Sequence, residues 1–298
     1  MNNNFILNPS YGKQSVPVFK VIKNESKHTI IDMEVEVILE GDISESWITG
    51  TNHQILPTET QKNTCYAIAL TTDFDCIEDY GIALGNDIIE RHSHITKATI
   101  SISSRQWNTI QIDNEEHNHA FIRNTEPNRK ECICIIEKTN SSITSGIKDL
   151  ILLKTTQSGF TGYIQDKYTN LQPVGKNEVH SNRLFCTKLE SYWDCLCKPS
   201  NGYNEANHQI LDILIKEFSG PANEGKFSKS LQETAYQMAK TVLTTFENLK
   251  SINIITPNVH FYAYPLEQFG LNNPNIVFQS TDPKTNASGK IITNLIRE

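Results

Sequence analysis

The chain has 298 residues, 38% of them hydrophobic, with 12 Phe, 10 Tyr and only 20% charged; this supports a packed core in one large or two ordinary domains and excludes intrinsic disorder. Its net charge of −7 has the wrong sign for a nucleic-acid or anionic-membrane partner. No apolar run approaches the ~18 residues a membrane-spanning helix needs, and Met1-Asn2-Asn3-Asn4-Phe5 lacks the charged-then-apolar layout of a signal peptide, so a soluble intracellular protein is expected.

The first clear element covers residues 29–41. Ile31, Met33, Val35, Val37 and Leu39 alternate there with Asp32, Glu34, Glu36, Ile38 and Glu40, the period of a half-buried strand. Residues 16–22 read as its hairpin partner. Thr58 and Gln61 then have the spacing of a capping box, predicting a helix through residue 70, and a second helical pattern covers residues 77–91. Strands resume at 98–103, 107–112 and 131–137. The polar stretch 138–145 reads as a linker. Beyond it, residues 150–155 and 162–166 look extended. Ile210, Leu211, Leu214 and Ile215 predict a helix over 207–218. Ser230 and Glu233 form a second capping box, opening a helix whose apolar positions Leu231, Ala235, Met238, Ala239, Val242, Leu243 and Phe246 share one face. Strands at 251–264, 275–279 and 290–296 close the chain. Strands and helices are thus segregated in two halves of similar element order, an α+β class with antiparallel-type strands.

The seven cysteines include Cys132-x-Cys134 and Cys195-x-Cys197. Structural zinc sites space paired cysteines more widely, by two to four residues, so reduced structural thiols are the expectation and metal the alternative. His92-x-His94 and His117-x-His119 could each face one side of a strand and hold a metal, a weak signal against ordinary surface or core histidines. Phosphate loops, Gly-x-Gly-x-x-Gly turns and His-Glu-x-x-His pairs are missing.

Five ordered segments resemble the urate oxidase family. They are Tyr11-Gly12-Lys13 with the strand at 16–21; Pro57-Thr58-Glu59-Thr60-Gln61-Lys62-Asn63-Thr64; Gly159-Phe160 with Gly162, Tyr163, Ile164, Asp166, Tyr168, Thr169 and Leu171; Ser230-Leu231-Gln232 with Thr234; and Pro257-Asn258-Val259-His260-Phe261. The resemblance runs from about Tyr11 to the C-terminus. It implies two tandem tunnelling-fold domains, residues 1–142 and 143–298, and a homotetramer whose sheets close into a β-barrel tunnel with active sites at subunit interfaces. The implied reaction is cofactor-free oxidation of urate by O₂ and water to 5-hydroxyisourate and H₂O₂.

By the same resemblance, Lys13, Thr58 and His260 form the catalytic proton relay. A lysine can take a substrate proton if burial or positive neighbours lower its pKa. Phe160 stacks on the purine, Arg183 and Gln232 hold its polar edges, and Leu231 lends its backbone amide. Asn258, with Thr58, holds oxygen and later water above the purine plane. Glu59 stands where the family usually carries Asp. Read without the family, Lys13 is a surface lysine, Thr58 a helix cap, Phe160 a core residue, Gln232 an exposed first-turn residue and Arg183 a surface ion-pair partner. Two other readings remain: a different tunnelling-fold purine or pterin enzyme such as a cyclohydrolase, and a non-catalytic purine-binding homologue. The C-terminal Leu295-Ile296-Arg297-Glu298 is not a Ser-Lys-Leu peroxisomal address, so a cytoplasmic location is expected, with a peroxisomal one as the alternative.

Overall fold

The computed structural model describes residues 5–24, 27–124, 128–169 and 184–298. The chain divides into two compact units, the first made of residues 1–148 and 193–207, the second of 149–192 and 208–298.

In the first unit, β1 (Ser10–Lys23) pairs antiparallel with β2 (His28–Gly41), which pairs with β3 (Ile95–Arg105). A short helix, α1 (Glu45–Ile48), then α2 (Thr58–Thr71) and α3 (Ile77–Arg91), lie between β2 and β3 in the chain. A hairpin of β4 (Trp107–Ile112) and β5 (Glu115–Arg123) follows, and β6 (Arg129–Glu137) returns to β3. The sheet order is therefore β1-β2-β3-β6, with β7 (Ser141–Lys154) next to β6. The alternation in β2 behaves as its sequence predicts: Met33, Val35, Val37 and Leu39 are wholly buried, while the acidic residues between them are partly exposed. Their apolar face joins Ala98, Ile100, Cys132 and Cys134 beneath Cys65, Tyr80, Leu84 and Ile88 of the helices. The helices cover one face.

The second unit repeats this plan. The strand order is β7-β8-β9-β12, with β8 (Phe185–Cys195), β9 (Leu249–Val259) and β12 (Lys290–Ile296). Helices α4 (Tyr203–Ser219) and α5 (Leu231–Thr245) precede β9. The small sheet of β10 (Phe261–Ala263) and β11 (Phe278–Ser280) stands where β4 and β5 stand in the first repeat. Helix α5 packs on β9 and β12 as α3 packs on β3 and β6. Ser230 caps α5, its hydroxyl accepting from the Glu233 amide at 3.1 Å, and the predicted apolar face of that helix is buried throughout. The α+β class read from the sequence is the class observed.

Several local expectations are corrected. The supposed linker at 138–145 is a tight turn, closed by Glu137 N–H to Asn140 C=O at 2.9 Å, and β7 starts at Ser141. Polar composition there hid a strand whose buried positions include Ser145. Residues 162–166 join no strand. In α4, Ile215 is 38% exposed, and Tyr203, Ala206 and Phe218 complete the buried face with Ile210 and Leu214. The strand read over 251–264 breaks at His260 into β9 and β10. Two strands escaped the hydrophobic pattern altogether. In β5 the sequence is charged and His-rich, and in β8 the polar Thr187 and Ser191 occupy fully buried positions. None of the seven cysteines is in a disulfide; the thiols of Cys132 and Cys134 lie 3.4 Å apart on the same side of β6.

Candidate active site

In the first unit the geometry starts from Gly12. A Cβ on Gly12 would lie 1.7 Å from the Val37 carbonyl oxygen, so only glycine lets β1 press this closely on β2. Lys13 is next, half-buried and paired with Val37. The ladder then slips between Lys13 and Val16, with Ser15 at a φ of 55°. Such a bulge re-aims the residues beside it.

Tyr11 precedes Lys13 by two residues and so shares its side of the strand. Its hydroxyl donates to the Leu56 carbonyl at 3.1 Å and accepts the Leu56 amide at 2.7 Å. Gln61, wholly buried, donates to the same carbonyl at 3.1 Å. Burial, opposed by these hydrogen bonds, pushes the Tyr11 hydroxyl up in pKa, so it stays a neutral donor. The chain leading into α2 is thus clasped to the strand that carries Lys13.

The capping box expected here does not form. Pro57 is the cap residue, Thr58 is the first helical residue, and no side chain caps the helix. Gln61 is turned inward to Leu56 and cannot reach back. Thr58 is therefore exposed, with a hydroxyl that bonds to none of the described residues, at a helix N-terminus whose first amides have no intrahelical partner. Exposed Glu59 pairs with Lys62 at 2.6 Å. The hydrogen bond and charge of Lys62 hold its carboxyl below the ordinary range, and Lys13 adds a smaller pull in the same direction.

The second unit carries the aromatic and amide groups. Ser158 and Ser228 form a parallel bridge. Gly159 N–H donates to the Ser228 carbonyl, and Ser228 N–H to that of Gln157, each at 2.9 Å. This ties the half-buried Phe160 to the segment that enters α5. Tyr163 stacks on Phe160 with ring centres 5.2 Å apart and planes 4° from parallel. Lys154 backs the same junction, donating to Ser228 Oγ at 2.7 Å and to the Lys226 carbonyl at 2.8 Å; burial lowers its pKa. Leu231 is buried at the start of α5, whereas Gln232 is exposed and its amide bonds to no described residue.

Asn258 and His260 follow at the end of β9, two residues apart. The Asn258 amide donates to the Gly289 carbonyl at 2.8 Å. A Cβ on Gly289 would come within 3.0 Å of Asn258 Nδ2. Thr281 clasps the His260 backbone from both sides, accepting its N–H at 3.0 Å and donating its own N–H to its carbonyl at 2.8 Å. The His260 ring lies 5.9 Å from that of Tyr262. Arg183 falls outside the described residues.

The structure thus gathers Lys13, Thr58 and Glu59 in one frame, joins Phe160 to Leu231 and Gln232 in another, and sets Asn258 beside His260. The supporting residues Ser228, Thr281 and Gly289 had no assigned role in the sequence reading, and Gln61 had only a capping one. Tyr11 alone gave a signal, its two-residue spacing from Lys13. Chemically, the first group offers an amine, a hydroxyl and helix amides; the second offers an aromatic face, two carboxamides and an imidazole.

The whole chain is similar to known proteins. The family model described as Uricase matches residues 9–133 and 143–289. The uricase of Danio rerio is 31% identical over 97% of this chain and 93% of its own length. A uricase-2 isozyme of Glycine max is 32% identical, covering 90% of this chain and 87% of its own. The crystal structure of the Arthrobacter globiformis uricase superposes with a TM-score of 0.88 at 29% identity, covering 100% of this chain and 96% of that one. The two repeats are accordingly tandem tunnelling folds.

Proposed function

The chain belongs to the uricase family, and on that premise, which makes it a urate oxidase of purine degradation, we propose how its residues carry out the reaction. Urate, O₂ and water give 5-hydroxyisourate and H₂O₂ without metal or flavin. The Lys13 amine takes a urate proton through the Thr58 hydroxyl, and His260 organises the proton and water path. Phe160 stacks on the purine. Arg183 and Gln232 hold its edges, and the Leu231 amide adds a donor. Asn258 and Thr58 hold oxygen over the ring, and Glu59 sits beside the substrate as a carboxylate. Each active site combines the Lys13–Thr58 group of one subunit with the Phe160–His260 group of a neighbour, in a cytoplasmic homotetramer of two-domain chains with domains 1–142 and 143–298.

The observation that carries this reading is the double hydrogen bond of Tyr11 to Leu56. It fixes the strand bearing Lys13 against the segment that leads into α2, where Thr58 is the first helical residue and has no capping duty. A base and a hydroxyl held this way suit proton transfer, where misplacement by an ångström is severe. Oxygen uptake and urate absorbance, followed together in Lys13→Met, test it. The expected result is a loss of about 10²–10⁴-fold in kcat with urate binding kept; full activity would overturn the relay.

One observation favours a second reading. The longer Glu59 side chain is drawn to Lys62, and a non-catalytic purine-binding homologue would follow if this carboxylate must stay with Lys13. Saturable urate binding by the unsubstituted protein without oxygen uptake would select that reading.

A further inference from the structure

Beyond the urate site, three histidines converge where the β4–β5 hairpin meets the start of β2. The hairpin turns at Asp113 and Asn114, both at positive φ (52° and 67°), as a two-residue turn demands. Its ladder then breaks: Gln111 pairs with Glu116, but Thr109 pairs with Phe121. Four residues of β5, 117–120, are thus set against Ile110 alone in β4, and His117-Asn118-His119 lies within that excess. The bulge turns both imidazoles to one side, with ring centres 4.5 Å apart. His28, the first residue of β2, brings a third ring to within 6.0 Å of His119.

The surrounding contacts hold these segments together. Lys27, next to His28, forms an ion pair with Glu116, next to His117. Trp107 of β4 donates its indole N–H to Asp32 of β2 at 2.9 Å, and its ring meets Phe19 edge-on at 6.1 Å. The ion pair uses the residues before His28 and His117, so strand alternation leaves the imidazoles on the other side. His28 and His117 are half-buried and His119 is exposed, so the cluster is open to solvent.

We propose that His28, His117 and His119 form a binding site for one divalent transition-metal ion of the zinc class. Imidazole nitrogens at ~2.0–2.1 Å on a tetrahedral ion leave ring centres roughly 5 Å apart, between the two separations observed. Three neutral nitrogen ligands select zinc, cobalt, nickel or copper over calcium and magnesium, which prefer oxygen. The fourth position faces water. In the free chain His117 Nδ1 accepts the His119 amide at 3.2 Å. Binding through Nε2 moves the ring proton to Nδ1 and exchanges this long hydrogen bond for a metal bond, with no net proton released. The ion would pin the hairpin to β2.

The test is a Co²⁺ titration of tag-free, full-length protein, read by visible d–d absorption, with Mg²⁺ as the control. One Co²⁺ per chain with a tetrahedral-type spectrum, competed by Zn²⁺ and indifferent to Mg²⁺, is expected. His28→Ala, His117→Ala and His119→Ala should each weaken binding by about tenfold or more, while urate turnover in the same samples stays at the unsubstituted level and reports an intact fold. Unchanged Co²⁺ binding in His28→Ala or His119→Ala overturns the site. So does loss of binding in Asp75→Asn with the histidine variants unaffected, because Asp75, Cys76 and Asp79 already bring ligand atoms within 4.8 Å of one another, whereas the three imidazoles must turn to do so.

Discussion

The last α-helix of each repeat starts with the same construction and ends in opposite chemistry. Helices α3 and α5 are both 15 residues long. In each, the cap side chain accepts the amide three residues on: Cys76 from Asp79, Ser230 from Glu233. Counting from the caps, Glu78 is the counterpart of Gln232. Glu78 is 1% exposed and accepts from Ser145 Oγ and Asn207 Nδ2, each at 2.7 Å. Gln232 is exposed, and its amide bonds to no described residue. One position in one fold is closed by internal donors in the first repeat and left open to solvent in the second. The small residues agree with this register: Gly81 and Gly85 of α3 match the buried Ala235 and Ala239 of α5.

The strongest way to break this comparison is to truncate both residues. Glu78→Ala leaves a cavity and orphans two donors, the buried Ser145 hydroxyl and the half-buried Asn207 amide, and should lower unfolding stability by about 3 kcal/mol in urea titration. Gln232→Ala should change stability by less than about 0.5 kcal/mol and raise KM for urate instead. Equal destabilisation would mean that Gln232 is also structural.

Next in size is the glycine register. A Cβ on Gly85 would lie 2.4 Å from Ile136 Cγ1, at the root of a stiff side chain. Gly85→Ala should thus cost about 1–2 kcal/mol in thermal unfolding, even after the helix gains from alanine. Ala239→Gly should also destabilise, by about 1 kcal/mol, so the same exchange loses in both directions.

Alkaline pH probes both repeats at once. Burial raises the thiols of Cys65, in the first, and Cys186, in the second, to about 11. A thiol raised in the folded state is protonated there while the unfolded chain ionises near ~8.5. The unfolded state then binds fewer protons, so stability is complete below that pH and falls as pH climbs toward 11, by at most about 1.4 kcal/mol per pH unit for each thiol. Chemical denaturation at pH 8 and 10 should record the loss, and Cys65→Ser or Cys186→Ser should flatten it.

The smallest contrast separates the two helix starts. Ser230→Ala removes a real cap and should cost about 1 kcal/mol. Thr58→Ala removes none and should leave unfolding stability within about 0.5 kcal/mol of the unsubstituted protein, while urate oxidation drops. A destabilised Thr58→Ala would restore the capping role that the geometry denies it.

The sequence by itself determined much of this protein. The alternation in β2, the apolar stripe of α5 and the Ser230 cap are local, because each is written in neighbouring residues whose period matches the element they form. The candidate residues Lys13, Thr58, Phe160, Gln232, Asn258 and His260 were singled out through ordered motif segments rather than through any periodicity. What the tertiary structure alone decided is pairing across distance. Strands β5 and β8 formed against their own composition because the sheet supplied hydrogen-bond partners, and Thr187 and Ser191 were buried with them. Thr58 lost its capping role because Gln61 found Leu56 inside the fold. Glu78 closed and Gln232 stayed open because Ser145 and Asn207, 67 and 129 residues from Glu78, come together only once the first unit is packed. Local spacing cannot encode such partners; only the folded chain brings their donors within reach.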